Sequence, residues 1–166
     1  MKVFSVCGIK NSGKTTTIEN IIAELTARGY KVGSTKYIHC EGFEMDKDPE
    51  VDTRRHRAAG SSLICARAKT ETSLLFSEKL SMEQILSIYQ FMGTFDWVVL
   101  EGAYDIDLPT IVTAHEEADL LEKLNDRVFC ISGVISANLK NYKDIPVIDS
   151  TKDIKALVDT IEHALI

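Results

Sequence analysis

Gly8-Ile9-Lys10-Asn11-Ser12-Gly13-Lys14-Thr15 directly follows the apolar run Val3-Phe4-Ser5-Val6-Cys7. The stretch meets the pattern G-x-x-x-x-G-K-[ST] at every specified position, and that pattern describes a phosphate-binding loop. Two glycines let the backbone curl until successive N–H groups point inward and form an anion-binding nest. Lys14 is placed to reach β- and γ-phosphates, and the Thr15 hydroxyl to take Mg²⁺. Ile18, Ile21, Ile22 and Leu25 follow at i, i+3, i+4 and i+7, an apolar stripe of helical period. The order is therefore strand, loop, helix, with the positive end of the helix turned to the same phosphates. Gly8, Asn11, Ser12, Gly13, Lys14, Thr15 and Thr16 are the expected nucleotide-binding residues.

Working outward, Gly29 ends the first helix near Arg28, and Lys31–Lys36 reads as a short strand. A long polar connection, Tyr37 to Val51, carries His39, Cys40, Asp46 and Asp48; loops of this length are usually functional or mobile. Asp52–Gly60 reads as a short helix capped by Asp52 and stopped by Gly60, and it holds Arg54-Arg55-His56-Arg57. Strands are expected at Ser62–Ala66 and Thr72–Phe76, and Ser81-Met82-Glu83-Gln84 has the form of a capping box opening a helix. Asp96-Trp97-Val98-Val99-Leu100 is the continuous apolar run of a buried parallel strand, ending in Glu101-Gly102. Further strands are expected at Thr110–Thr113, Val128–Ile135 and Pro146–Asp149, and helices at Glu116–Leu124 and along the stripe Ile154, Leu157, Val158, Ile161 and Leu165. Strands alternating with helices imply an α/β, three-layer nucleotide-binding fold on a mainly parallel sheet, read as one domain over residues 1–166.

The chain has 166 residues, 45% hydrophobic and 27% charged, the composition of an ordinary globular protein. A formal charge of -6 argues against general nucleic-acid or anionic-membrane binding. No apolar run approaches the roughly 20 residues of a membrane helix, and the first strand begins at once, so a cytoplasmic protein without a signal peptide is expected. Cys7, Cys65 and Cys130 fall in strand-like runs and are expected to be small buried hydrophobes. Cys40 instead follows His39 in a polar loop.

A phosphate loop needs an acid on the metal side, usually at the end of an apolar strand. Glu101 fills that place, with Lys14 beside it as the other catalytic candidate, and Asp46 is a further magnesium candidate. The metal set is thus Thr15, Asp46 and Glu101. Asn138, after the Val128–Ile135 strand, falls on the base side of the site, where its amide can both donate and accept. In a chain of net charge -6, Arg54 and Arg57 share one helix face at i, i+3 and suit a localised phosphate, whereas Arg55 points elsewhere.

Gly8–Thr17, Lys36–His39, Asp46, Asp52-Thr53 with Arg57, Ala59-Gly60 and Leu100-Glu101-Gly102 together resemble the molybdopterin-guanine dinucleotide biosynthesis protein B (MobB) family. The resemblance implies a cytoplasmic P-loop GTPase, slow at hydrolysis, that binds GTP with Mg²⁺ and forms a homodimer. It also implies a molybdopterin-type cofactor and its guanylyltransferase as partners, in maturation of a molybdenum or tungsten cofactor. Lys14, Thr15, Asp46 and Glu101 carry over as phosphate and metal residues, and Arg57 falls on the family's arginine position. The family's lysine after Glu101-Gly102 is missing from Ala103-Tyr104-Asp105, and no [NT]-K-x-D guanine motif occurs. Two other readings fit the residues: a nucleotide-dependent chaperone or carrier for another metallocofactor, favoured by His39 and Cys40, and a small-molecule kinase with the arginines closing over transferred phosphate.

Overall fold

In chain order the elements are β1 (Lys2–Gly8), α1 (Lys14–Ala27), β2 (Val32–Lys36), α2 (Asp52–Ala58), β3 (Leu63–Arg67), β4 (Thr72–Phe76) and α3 (Met82–Met92). They continue with β5 (Trp97–Glu101), β6 (Thr110–Thr113), β7 (Val128–Ser132), β8 (Asn141–Tyr142), β9 (Ile145–Pro146) and α4 (Ile154–Leu165), with 3₁₀ turns at Glu117–Leu120 and Val134–Ala137. The computed structural model describes residues 1–38, 40, 42, 51–103 and 106–165. These fall into two compact units, one of residues 1–37 and 87–166 and a smaller one of residues 38–86.

The larger unit is built on a five-stranded sheet in the order β2-β5-β1-β6-β7, with each neighbouring pair parallel. This is the α/β architecture around a parallel sheet that the alternation of strand and helix patterns implies. β5 shows why its sequence is uniformly apolar: Trp97, Val98, Val99 and Leu100 are all buried, so both faces of the strand are covered. On one face Phe4, Val6, Trp97, Val99 and Ile111 pack against Ile18, Ile21 and Leu25 of α1 and Leu157, Val158 and Ile161 of α4. Arg28 clamps the two helices together, reaching Glu24 at 2.9 Å, Asp159 at 2.7 Å and Glu162 at 2.8 Å. A second cluster, with Val112, Ala114, Leu120, Ile131, Ile135 and Val147, gathers the 3₁₀ turns and the chain after β9.

In the smaller unit β3 and β4 form an antiparallel pair, preceded by α2. Gly60, at φ +102°, takes the left-handed turn that ends α2, as expected. The capping box of α3 is also present: Ser81 Oγ accepts from the Gln84 N–H at 3.2 Å, and Gln84 Oε1 accepts from the Ser81 N–H at 2.8 Å.

Five sequence expectations are corrected. Asp52 is the first residue of α2 rather than its cap; Val51 holds the cap position, and the Asp52 carboxylate faces Arg55 at 3.4 Å. The expected helix Glu116–Leu124 shrinks to the 3₁₀ turn Glu117–Leu120: a capping box between Glu116 and Asp119 opens it, but Leu120 is its one buried side chain, too little apolar packing to carry a longer helix. The strand from Val128 stops at Ser132, since Gly133 turns the chain at φ +87° into the next 3₁₀ turn. The strand expected at Pro146–Asp149 is a short antiparallel hairpin of β8 and β9 followed by a single bridge from Val147 to Ile131. Cys65 is exposed, because the two-stranded sheet that holds it leaves alternate positions in water, while Cys7 and Cys130 are buried. Burial pushes both of those thiols up, Cys130 to about 12.

The sheet joins α4 through Asp149, an almost fully buried carboxylate. Its Oδ1 accepts from the Thr151 hydroxyl at 2.6 Å and from the Thr151 N–H at 2.9 Å, and its Oδ2 lies 3.5 Å from the Lys152 ammonium. These donors, the Thr151 hydroxyl first, hold its carboxyl below the usual carboxylate range. A depressed folded value stabilises the protein above the unfolded carboxylate value of about 3.9, and that contribution is lost as pH falls through the lower folded value. Asp149→Asn should therefore cost about 1 kcal/mol near neutrality. Urea unfolding from pH 7 down to pH 3 should show the gap between variant and parent closing only in the acid range.

Candidate functional site

All five parallel strands present their carboxyl ends at one edge of the sheet, the place where open α/β sheets bind ligands. At the centre of that edge β1 runs into the loop Ile9–Gly13. Asn11 at φ +62° and Gly13 at φ +96° take left-handed conformations, the kind of backbone that curls successive N–H groups into an anion nest. Gly13 caps α1 with no side-chain hydrogen bond, and the first turn of the helix contains no acid. The first N–H groups of α1 are thus left for an anion. Lys14 folds back over the loop, its ammonium donating to the carbonyls of Gly8, at 3.0 Å, and Ile9. Burial depresses the Lys14 pKa, with Glu101 opposing that shift. A phosphate would give this ammonium a better partner than two carbonyls do.

The loop is braced from strands distant in sequence. Ser12 is fully buried; its hydroxyl donates to the Ile9 carbonyl at 2.8 Å and lies 2.7 Å from the Thr113 hydroxyl. Thr113 ends β6 opposite Gly8, where a Cβ on Gly8 would lie 2.2 Å from the Thr113 carbonyl oxygen. Gly133, after β7, is held as closely: its Cβ would come within 2.2 Å of the Ser12 carbonyl oxygen. The Val134 N–H then donates to that same carbonyl at 3.3 Å. Thr113 and Gly133 are parts of the site that sequence reasoning missed. The signal available was a threonine and a glycine at the ends of two expected strands.

Glu101 closes β5 next to the loop. Its Oε1 accepts from the Thr15 hydroxyl at 3.2 Å and pairs with the Lys36 ammonium at 3.0 Å. Lys14, Thr15 and Glu101 are thus brought together as expected, and Lys36 joins them. The Thr15 hydroxyl and the Glu101 carboxylate are hard oxygen donors, a set that suits magnesium, which keeps several waters and otherwise draws on phosphate oxygens. Among the described residues no three His, Cys, Asp or Glu cluster as a metal site of their own.

Of the remaining candidates, Asn138 belongs to the larger unit and Arg54 and Arg57 to the smaller one. Asn138 is exposed and ends the 3₁₀ turn after Gly133, its N–H bonded to the Ile135 carbonyl at 3.1 Å. Arg54 and Arg57 are half-buried on α2 of the smaller unit while Arg55 is exposed, which agrees with a shared face for the first two. Asp46, His39, Asp48, Tyr104 and Asp105 lie outside the described residues.

Comparison with known proteins bears on these observations. Residues 3–136 match the family model for MobB, molybdopterin guanine dinucleotide synthesis protein B. A Bacillus subtilis protein described as a probable molybdopterin-guanine dinucleotide biosynthesis adapter protein is 31% identical over 119 residues, covering 71% of this chain and 68% of the relative. A Methanocaldococcus jannaschii protein with the corresponding putative description is 30% identical over 128 residues, which are 74% of this chain and 52% of that one. The crystal structure of Bacillus subtilis MobB superposes with a TM-score of 0.81 at 23% identity, covering 100% of this chain and 99% of that one. The Bacillus stearothermophilus MobB homologue gives 0.72 at 21% identity, with 99% and 98% covered. The likeness of fold runs the length of the chain, and the sequence match spans the phosphate loop, Glu101 and Gly133; the chain belongs to the MobB family.

Proposed function

We propose that this protein is a GTP-binding adapter in molybdenum cofactor biosynthesis, a slow GTPase that assists attachment of the guanine nucleotide to molybdopterin. The family and the descriptions of its relatives support the pathway. Support for the nucleotide comes chiefly from one observation: the Lys14 ammonium folded over the Gly8 and Ile9 carbonyls, at the uncapped end of α1. In this reading the loop N–H groups bind the phosphates and Lys14 turns outward to the β- and γ-oxygens. Thr15 and Glu101 hold magnesium, which neutralises charge on those oxygens. Glu101 also orients water, Asn138 lies on the base side, and Arg54 and Arg57 take the phosphate of the pterin cofactor or of the guanylyltransferase that brings it. The working form is a homodimer, as the family resemblance implies.

Calorimetric titration with GTP tests the reading. Lys14→Ala should weaken GTP binding by about two orders of magnitude or more while leaving the melting temperature unchanged, because the side chain serves phosphate and contributes little to the core. Unchanged affinity would end the phosphate-loop assignment. Glu101→Gln keeps shape and removes charge, so it should lower Mg²⁺-dependent hydrolysis well below the parent while GTP binding in EDTA is retained. Arg57→Ala should leave GTP affinity within about threefold, or ~0.7 kcal/mol, and lose the pterin phosphate or its carrier protein. A hundredfold loss of GTP affinity would instead assign that arginine to the nucleotide.

A further inference from the structure

Resting on the assignment of Glu101 as the metal-side acid, the neighbourhood of its carboxylate carries one more conclusion. Oε1 is already shared, accepting from the Lys36 ammonium at 3.0 Å and from the Thr15 hydroxyl at 3.2 Å. The contact with Lys36 is built into the sheet. Lys36 and Glu101 are register partners at the carboxyl ends of β2 and β5, and the next N–H, of Tyr37, bonds the Glu101 carbonyl at 2.9 Å. The two side chains differ in freedom, since Lys36 is 58% exposed and Glu101 only 15%. The lysine can swing into water at small cost, whereas the carboxylate stays at the strand end.

We infer that Lys36 is a tethered cation that positions Glu101 in the metal-free site and competes with divalent metal for it. Lys14, Lys36 and Glu101 together leave one positive charge beside the loop, and the Lys14 ammonium feels both of the others. A dication is unwelcome there until phosphate supplies negative charge. Lys36 thereby makes metal binding conditional on the nucleotide and keeps the acid aligned in the interval. It is a positioning residue, acting through Glu101.

The test uses the full chain, free of nucleotide and stripped with EDTA, and reads Mn²⁺ binding by electron paramagnetic resonance. Lys36→Met should bind Mn²⁺ about fivefold tighter than the parent, the scale of an exposed ion pair removed. Lys36→Arg keeps the charge and should match the parent. In the double variant Lys36→Met/Glu101→Gln the gain should vanish. An unchanged or weaker affinity in Lys36→Met overturns the inference, as does a gain shared by the arginine variant or surviving the loss of the Glu101 charge. Thermal melting in EDTA verifies that each variant is folded. Because no nucleotide is present, failure here leaves the GTP reading standing, and failure of the parent to bind GTP would leave this result untouched.

Discussion

The close approach of Gly133 to the Ser12 carbonyl is the constraint on which the site depends. A phosphate loop has few side chains with which to fix its own shape, because its conformation requires glycine and left-handed backbone. Rigidity must come from outside it. Here the ends of β6 and β7 supply it through the Thr113 hydroxyl, the Val134 N–H and a glycine small enough to let two backbones meet. The parallel register fixes which residues stand at the strand ends, so a change of one residue in the β1–β6 pairing would take Thr113 away from Gly8.

The same logic explains the charge arrangement. Lys14 and Lys36 both lean on groups of the protein itself, one on loop carbonyls and the other on Glu101. Each contact holds its side chain in place, and in the proposed function each would be exchanged, for a phosphate or for a metal. Under the proposed function, a site so arranged would be ordered before its ligand arrived, which would reduce what must be ordered on binding.

The phosphate loop, β5 and the closing helix were legible because each rests on local information: a spaced pattern, a continuous apolar run, a 3.6-residue stripe. The α/β class followed from their alternation. What escaped was set by contacts distant in sequence. Nothing near Gly133 says that its neighbour in space is Ser12, so the strand from Val128 read three residues too long. Likewise Lys36 was visible as a strand end and as part of the family-like segment Lys36–His39, with no role of its own, until the β2–β5 register placed it against Glu101. Cys65 looked buried because its run is apolar, but a two-stranded sheet covers fewer of its side chains than a five-stranded one does.

That last contrast divides the thiols between the two units. Cys7 and Cys130 lie in the larger unit, buried and protonated, whereas Cys40 and Cys65 lie in the smaller one and are exposed. Burial shields Cys7 and Cys130 from an alkylating reagent such as maleimide, so the two accessible thiols of the native chain both lie in the segment 38–86. A fluorophore attached there would sit in that segment, without any engineered cysteine and with Cys7, beside the loop Ile9–Gly13, left unmodified.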